Sequence, residues 1–149
     1  MTRTTGKHRG TPDEVFDYAE SIWGPYDLDV CAEPWNARAA RYYTKEQNAL
    51  DPKWGWHGRV WCNPPWSSVE AFLDAGRRAI ALAEAELITY CLPARAGRPW
   101  WDAVQANGYV RLGRITYLVG PGEEQRPGGF EDSVLTTFVR PFPSTAKRR

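Results

Sequence analysis

The sequence has little of what metal, disulfide and membrane chemistry require. Its 149 residues include two histidines and three cysteines. Cys31, Cys62 and Cys91 form no CxxC pair, and His8 and His57 complete no zinc-ligand spacing, so no metal site is expected. Each cysteine ends a strand-like apolar run, where a buried reduced thiol is the expected state, and an odd count fits a reducing compartment. No apolar run has the length of a bilayer span, and no N-terminal segment reads as a signal peptide. These absences point to a cytoplasmic protein that makes no membrane contact. The net charge is only +1, so the overall basic balance of many nucleic-acid binders is also missing. Local charge is not excluded: Arg3, Lys7 and Arg9 cluster at one end, and Lys147, Arg148 and Arg149 at the other. The plain reading of both clusters is solvated, frayed tails.

What is present suits one globular domain. Apolar residues make up 42% and charged residues 25%, enough for a core and too apolar for a disordered chain. The expected division is a flexible tail over 1–10, a domain over 11–142 and a basic tail over 143–149. There are eight tryptophans. Trp54, Trp56, Trp66 and Trp100 stand beside proline or glycine, in loops where rings can stack on flat ligands. For Trp35, Trp54 and Trp56, packing is the commoner role.

The pattern along the chain alternates. Thr11-Pro12-Asp13-Glu14 reads as a helix start, with a hydroxyl cap, proline at the first turn and acids against the dipole. Val15, Phe16, Ala19 and Ile22 would form its apolar face, and Gly24-Pro25 its end. Residues 26–32 and 59–62 read as strands, 35–43 as a short helix and 44–58 as a connection. Ser67, with Glu70 three residues on, reads as the capping box of a long helix reaching residue 84. A strand over 86–92, a helix over 100–107, two strand pieces over 109–119 around Gly113, a loop over 120–131 and a strand over 133–139 complete the order. Alternation of this kind predicts an α/β protein with mostly parallel strands and helices on both faces. Ligands in such sheets lie beyond the carboxyl ends of the strands. Asp29–Ala32 and 63–66 fall at those ends, and Thr11 precedes the first helix.

Asn63-Pro64-Pro65-Trp66 follows a strand directly. Two prolines fix φ, remove two backbone donors and hold the preceding residues extended. The stiff turn presents the Asn63 side chain and the Pro64 carbonyl as two acceptors beside the flat face of Trp66. That combination suits a planar amine with two N–H donors and a π face. Pro-Pro alone reads equally well as a helix-start turn leading to Ser67.

The four residues resemble the (Asn/Asp/Ser)-Pro-Pro-(Tyr/Phe/Trp) motif of amino-methyltransferases, which act on adenine N6 or cytosine N4. The chain more closely resembles the compact phage-type DNA N6-adenine methyltransferase (Dam) family. The matching stretches are Thr11-Pro12 with Val15-Phe16, 27–32 (DLDVCA), Leu50 with Trp54 and Gly58, 60–67 (VWCNPPWS), 92–95 (LPAR) with Trp100-Trp101, and 113–115 (GRI). The resemblance implies a Rossmann-like methyltransferase sheet with an antiparallel final strand pair. It also implies S-adenosylmethionine as cofactor, DNA as substrate and a phage or prophage source. Thr11 and Pro12 are similar to a Thr-Pro pair at the cofactor's carboxylate, and Asp29 to an acid near its amino group. The Cys31-Ala32 backbone would lie against the cofactor. Asn63, Pro64, Pro65 and Trp66 would hold a base flipped out of the stack. Ser67, Arg95 and Arg98 would meet the nucleic acid, although both arginines also read as solvated. Related chemistries with the same pattern are N4-cytosine, RNA or protein-glutamine methylation, or an inactive DNA-binding module of the same fold.

Two features depart from the pattern. Ala32 is followed by Glu33-Pro34-Trp35-Asn36 where many methyltransferases have a glycine-rich loop. Only about thirty residues separate Asp29 from Asn63, too few for two full βα units. Asp51 is the candidate for a further cofactor contact, with Glu46 behind it; Asp51-Pro52 also reads as a turn. Cys62 beside the motif is not expected to act as a nucleophile.

Overall fold

In the computed structural model, residues 10–122 and 130–141 are described. The elements in order are α1 (Asp13–Trp23), β1 (Leu28–Asp29), β2 (Arg41–Tyr42), β3 (Gly58–Cys62), α2 (Val69–Ala81), β4 (Ala85–Pro93), α3 (Trp101–Asn107), β5 (Val110–Thr116) and β6 (Phe130–Val139). A 3-10 turn at Trp66–Ser68 leads into α2. Side chains alternate across a strand, so one buried strand can serve two cores. Along β4, Leu87 and Cys91 join the cluster built on Val15, Phe16 and Ala19 of α1. Ile88, Tyr90 and Leu92 join the cluster built on Phe72 and Leu73 of α2 and Val104 of α3. Trp61 takes the α1 face, between Val60 and Cys62 on the other. Helices therefore cover both faces of the sheet.

The six strands lie in the order β2-β1-β3-β4-β6-β5. Pairing is parallel from β2 through β4, and antiparallel at β4·β6 and β5·β6. β6 thus runs against the other five. The mixed α/β sheet with an antiparallel pair is the expected architecture.

Several local expectations are corrected. Residues 35–43 do not form a helix. They make turns and then the edge strand β2, because Arg38 and Tyr43 give their N–H groups to Asp29 rather than to an i−4 carbonyl. Thr11 does not cap α1: Pro12 occupies the cap position, without a side-chain hydrogen bond. Ser67 is likewise not the cap of α2. It lies inside the 3-10 turn, Ser68 stands at the cap, and no capping-box bond forms. α2 stops at Ala81, where Ala83 takes φ 61° and turns the chain into β4. The strand expected over 26–32 shrinks to Leu28–Asp29, and the two pieces around Gly113 are one strand with a bulge between Arg111 and Gly113. Of the loop expected over 120–131, residues 123–129 lie outside the described residues and 130–131 already belong to β6; of the expected tails, 1–9 and 143–149 lie outside them too.

The α2–β4 contact yields a stability prediction. A Cβ on Gly76 would fall 1.9 Å from the Tyr90 hydroxyl, which is buried and donates to the Phe72 carbonyl at 2.8 Å. Alanine is the better helix former by about 1 kcal/mol. Overpacking and the lost buried hydrogen bond each cost about 1–3 kcal/mol, so the clash wins. Gly76→Ala should lower the urea midpoint; an unchanged or higher midpoint would show that Tyr90 yields freely.

Candidate active site

The site begins at the shortest inner strand. β1 has two residues, paired on one side with β2 and on the other with β3. Asp29 ends it at 2% exposure. One carboxylate oxygen accepts the Cys31 N–H at 3.1 Å and the other the Arg38 N–H at 3.0 Å. Burial raises the Asp29 pKa to about 7, against the pull of those N–H groups and of the Arg38 charge. The Arg38 guanidinium also donates to the Thr11 carbonyl, pairs with Asp13 at 2.8 Å and lies 5.1 Å from the Phe16 ring centroid. The missing glycine-rich loop has a substitute. Asn36 Oδ1 accepts the Glu33 N–H at 2.7 Å while its own N–H reaches the Glu33 carbonyl, so side chains close the turn.

β3 ends at Cys62, and Asn63-Pro64-Pro65 follows at its carboxyl end. Asn63 is 4% exposed, and its Nδ2 donates to Thr11 Oγ1 at 3.0 Å. This bond takes the hydroxyl that the sequence suggested for helix capping. Thr11 also reaches Cys91, whose thiol burial raises to about 11, with hydrogen bonds from Tyr117 and Thr11 acting the other way. Burial drives the Cys62 thiol well above its ordinary value, with nearby Cys31 adding to the rise. Both thiols therefore stay neutral and unreactive.

Trp66 is half-buried. Tyr117 packs against it nearly perpendicular, centroids 5.4 Å apart, and the Arg95 guanidinium carbon lies 5.3 Å from its ring centre. Arg95 Nη2 stands 3.2 Å from Glu131 Oε2. The Tyr117 hydroxyl meets Ser133 Oγ at 2.9 Å and Cys91 Sγ at 3.4 Å. Arg98 is exposed one turn further on, with its N–H on the Arg95 carbonyl.

Beside Asp29 opens a cavity of about 250 Å³. One wall is Val30, Cys31, Ala32 and Glu33; another is Thr44, Lys45, Asn48, Ala49 and Leu50; Pro65, Ser67, Ser68 and Phe72 close it. Glu33 is the acid among these lining residues. Asp51 does not line this cavity, and its carboxylate accepts the Lys53 N–H at 3.1 Å in a turn. Of the loop tryptophans, Trp54 and Trp56 donate to the carbonyls of Gln47 and Ala49, and Trp100 is buried. Only Trp66 of the four stands at the motif. Sequence reasoning missed Arg38, Tyr117 and Glu33. A lone arginine in an alanine-arginine stretch, and a tyrosine near a strand end, carry no local signal. Among the described residues no three His, Cys, Asp or Glu side chains gather as a metal would require, and no helix is long and apolar enough to cross a membrane.

An α/β sheet with a buried acid, a cavity and the Asn-Pro-Pro turn at its carboxyl edge belongs to the Rossmann-like class, whose ligands lie beyond the strand ends. The sequence places the chain within that class. The model of the DNA N-6-adenine-methyltransferase (Dam) family matches residues 3–148, and the chain belongs to that family. It is 30% identical over 144 residues to a DNA N-6-adenine-methyltransferase of Escherichia phage T1, covering 84% of this chain and 59% of the relative. The chain therefore spans less than two thirds of that relative's length. It is 35% identical over 69 residues to the putative methyltransferase YfdM of Escherichia coli K12, covering 43% of this chain and 76% of the relative. Among solved structures, a putative RNA methyltransferase from Pyrococcus horikoshii aligns at TM-score 0.46 and 14% identity, over 87% of this chain and 69% of that one.

Asp29 gives the site a pH signature. Its folded pKa of about 7 lies above the reference value of 3.8, so the native state holds the proton more tightly than the unfolded chain. The stability it confers is fully present below the reference value and lost as pH rises through 7. From pH 4 to 8, unfolding free energy should fall more in the wild type than in Asp29→Asn, by on the order of 3–4 kcal/mol. Urea titrations at each pH measure this. Parallel curves for the two proteins would mean that Asp29 stays ionised throughout.

Proposed function

We propose that the chain transfers the methyl group of S-adenosylmethionine to the exocyclic N6 amine of adenine in DNA. The observation that carries this reading is the 3.0 Å hydrogen bond from Asn63 Nδ2 to Thr11 Oγ1. It joins the Asn-Pro-Pro-Trp turn to the Thr-Pro segment and fixes the Asn63 amide beside the residues read as cofactor-binding. Family membership and the named activity of the phage T1 relative support the same choice of substrate.

The residues fit the cofactor. The cavity offers apolar walls from Val30, Ala49, Leu50 and Phe72 for a flat adenine ring, and its lining begins at the residue after Asp29. In this reading Thr11 and Pro12 meet the methionine carboxylate, Asp29 its ammonium, the Cys31-Ala32 backbone the body of the molecule, and Glu33 the ribose hydroxyls. When bound, S-adenosylmethionine supplies an electrophilic methyl group on a sulfonium.

The target amine is a weak nucleophile because its lone pair is delocalised into the ring. Asn63 Oδ1 and the Pro64 carbonyl each accept one of its N–H groups. Two acceptors favour the pyramidal nitrogen and stabilise the positive charge that builds on it during attack. Pro64 and Pro65 keep these acceptors from relaxing, so alignment costs little at the moment of reaction. Trp66 supplies the stacking face for a base taken out of the duplex. In this reading Arg95 and Arg98 meet the nucleic-acid backbone, as does Ser67, which also lines the cavity. Sequence recognition would draw on 95–101, on 120–131 and on the tails, of which 123–129 and the tails lie outside the described residues.

Two measurements test the reading. Asn63→Ala should keep its fold and cofactor affinity while single-turnover methyl transfer to an adenine oligonucleotide falls about a hundredfold or more. Asn63→Asp should be milder, because a carboxylate still accepts from the amine. Wild-type rates in Asn63→Ala, or transfer to cytosine in place of adenine, would defeat the assignment. Trp66→Ala should weaken binding of single-stranded adenine substrate by about 1–3 kcal/mol, with Trp66→Phe retaining most of it; unaltered binding and turnover in Trp66→Ala would remove the stacking role.

A further inference from the structure

In this structure the residues proposed to receive the base are shut. Asn63 is 4% exposed. The Trp66 ring carries the Arg95 guanidinium on a face, 5.3 Å from its centre, with Tyr117 packed beside it at 5.4 Å. A stacked base needs an open face of that ring and a path to Asn63, so a covering group has to leave.

The two covering groups differ in how firmly they are held. Tyr117 is 2% exposed, belongs to the apolar cluster of α1 and β4, and has its hydroxyl on Ser133 at 2.9 Å. Removing it would open the core. Arg95 lies in the segment of turns between β4 and α3, where a Cβ on nearby Gly97 would meet nothing within 4 Å. Its tethers are the Trp66 face and Glu131 Oε2 at 3.2 Å, and the side chains of Arg95 and Glu131 are each 33% exposed. Contacts of that kind, partly open to water, are weak. Arg95 is thus the mobile cover. Glu131, in contrast, sits on β6 beside Ser133, whose hydroxyl donates to the Glu131 carbonyl at 3.2 Å.

We infer that Arg95 is a latch on the base site, closed by Glu131 and opened by a DNA backbone phosphate. The guanidinium fork fits a phosphodiester as well as it fits a carboxylate, and it holds one such partner at a time in bidentate geometry. When a strand binds at the rim, Arg95 leaves Glu131 for the phosphate beside the target nucleotide, and the face of Trp66 is uncovered. Base entry is then coupled to possession of a phosphate backbone. The site thereby favours adenine in a polynucleotide over the free nucleoside. The inference rests on the reading of Trp66 as the stacking face, and it assigns Arg95 and Glu131 as specificity-determining residues for that reaction.

The test compares Arg95→Ala and Glu131→Gln in the full chain. Binding of a fluorescein-labelled, adenine-containing single-stranded oligonucleotide is followed by anisotropy over a salt series. Glu131→Gln frees the arginine and should tighten binding about two- to fivefold. Arg95→Ala loses a phosphate contact, so it should weaken binding about five- to tenfold and reduce the slope of log affinity against log salt by about 0.7. Methyl transfer to free deoxyadenosine should rise severalfold in Arg95→Ala, because the cover is gone, while transfer to the oligonucleotide falls. A merely structural role would move both variants and both substrates in one direction, and that result overturns the latch. So does a deoxyadenosine rate left unchanged by Arg95→Ala, which would leave Arg95 a simple phosphate contact. Wild-type protein that transfers no methyl group defeats the proposed reaction instead, and opposite affinity shifts in the two variants would still support the latch.

Discussion

The carboxylate of Asp29 is a charge with almost no water, and the carboxyl edge of the sheet is arranged around it. A buried acid must be hydrogen-bonded or neutralised. Here the loop after β1 bends so that the Cys31 and Arg38 N–H groups both point at it. That demand keeps 35–40 from closing into a helix and delivers the chain to β2 as an edge strand. It also brings the Arg38 side chain under Thr11 and Asp13, so the start of α1 is tied to the end of β1. The two N–H groups and the nearby guanidinium do not fully offset desolvation, which leaves the carboxyl close to neutral pH. A cationic group arriving beside it would complete the compensation, which is the physical reason to place the cofactor's ammonium there.

The second constraint is the amide of Asn63. For Asn63 to accept from an amine, as proposed, its nitrogen must not rotate into that place. Prolines fix the backbone on one side, and the Thr11 hydroxyl fixes the amide on the other. Thr11 itself is held through its carbonyl by Arg38 and through its hydroxyl within a buried polar chain that includes Cys91, Tyr117 and Ser133. Networks of this kind specify one geometry when all members are satisfied. Thr11 and Asn63, the residues proposed for the cofactor and for the base, are therefore positioned by one set of contacts.

Much of this was legible in the sequence, for identifiable reasons. Apolar runs located β3, β4 and β6, which are buried on both faces, and the 3.6 period located α1 and α2, each of which buries one apolar face. The turn at 63–66 was legible because proline acts through its own ring rather than through distant partners. What was not legible depended on contacts far along the chain. Residues 35–43 look helical to a propensity reading, and only Asp29, up to fourteen residues earlier, overrides it. Ser67 and Glu70 have the composition of a capping box, but the preceding Pro-Pro sends the chain into a 3-10 turn first. Arg38, Tyr117 and the Arg95–Glu131 pair come together from elements separated by tens of residues, so no local pattern announces them.

The brevity of the chain between Asp29 and Asn63 has a structural answer in its tryptophans. Where a full βα unit would wall the cavity, residues 44–57 do so as a folded loop without a helix. Such a loop has few backbone partners of its own and would lose its shape to chain entropy. Trp54 and Trp56 replace those partners, each sending its indole N–H to a loop carbonyl seven residues earlier, Gln47 and Ala49. Tyr43, at the end of β2, donates its hydroxyl to the Gly55 carbonyl and stacks at a tilt on Trp54. Trp56 packs on Phe72 of α2, the same ring that closes the cavity floor. The aromatic excess that first suggested ligand stacking is thus mostly spent on rigidity, holding Thr44, Asn48, Ala49 and Leu50 as a wall. Trp66 is the exception: it follows the prolines at the end of β3 and packs on the opposite side of the sheet, with the α1 cluster, against Tyr117 and Arg95.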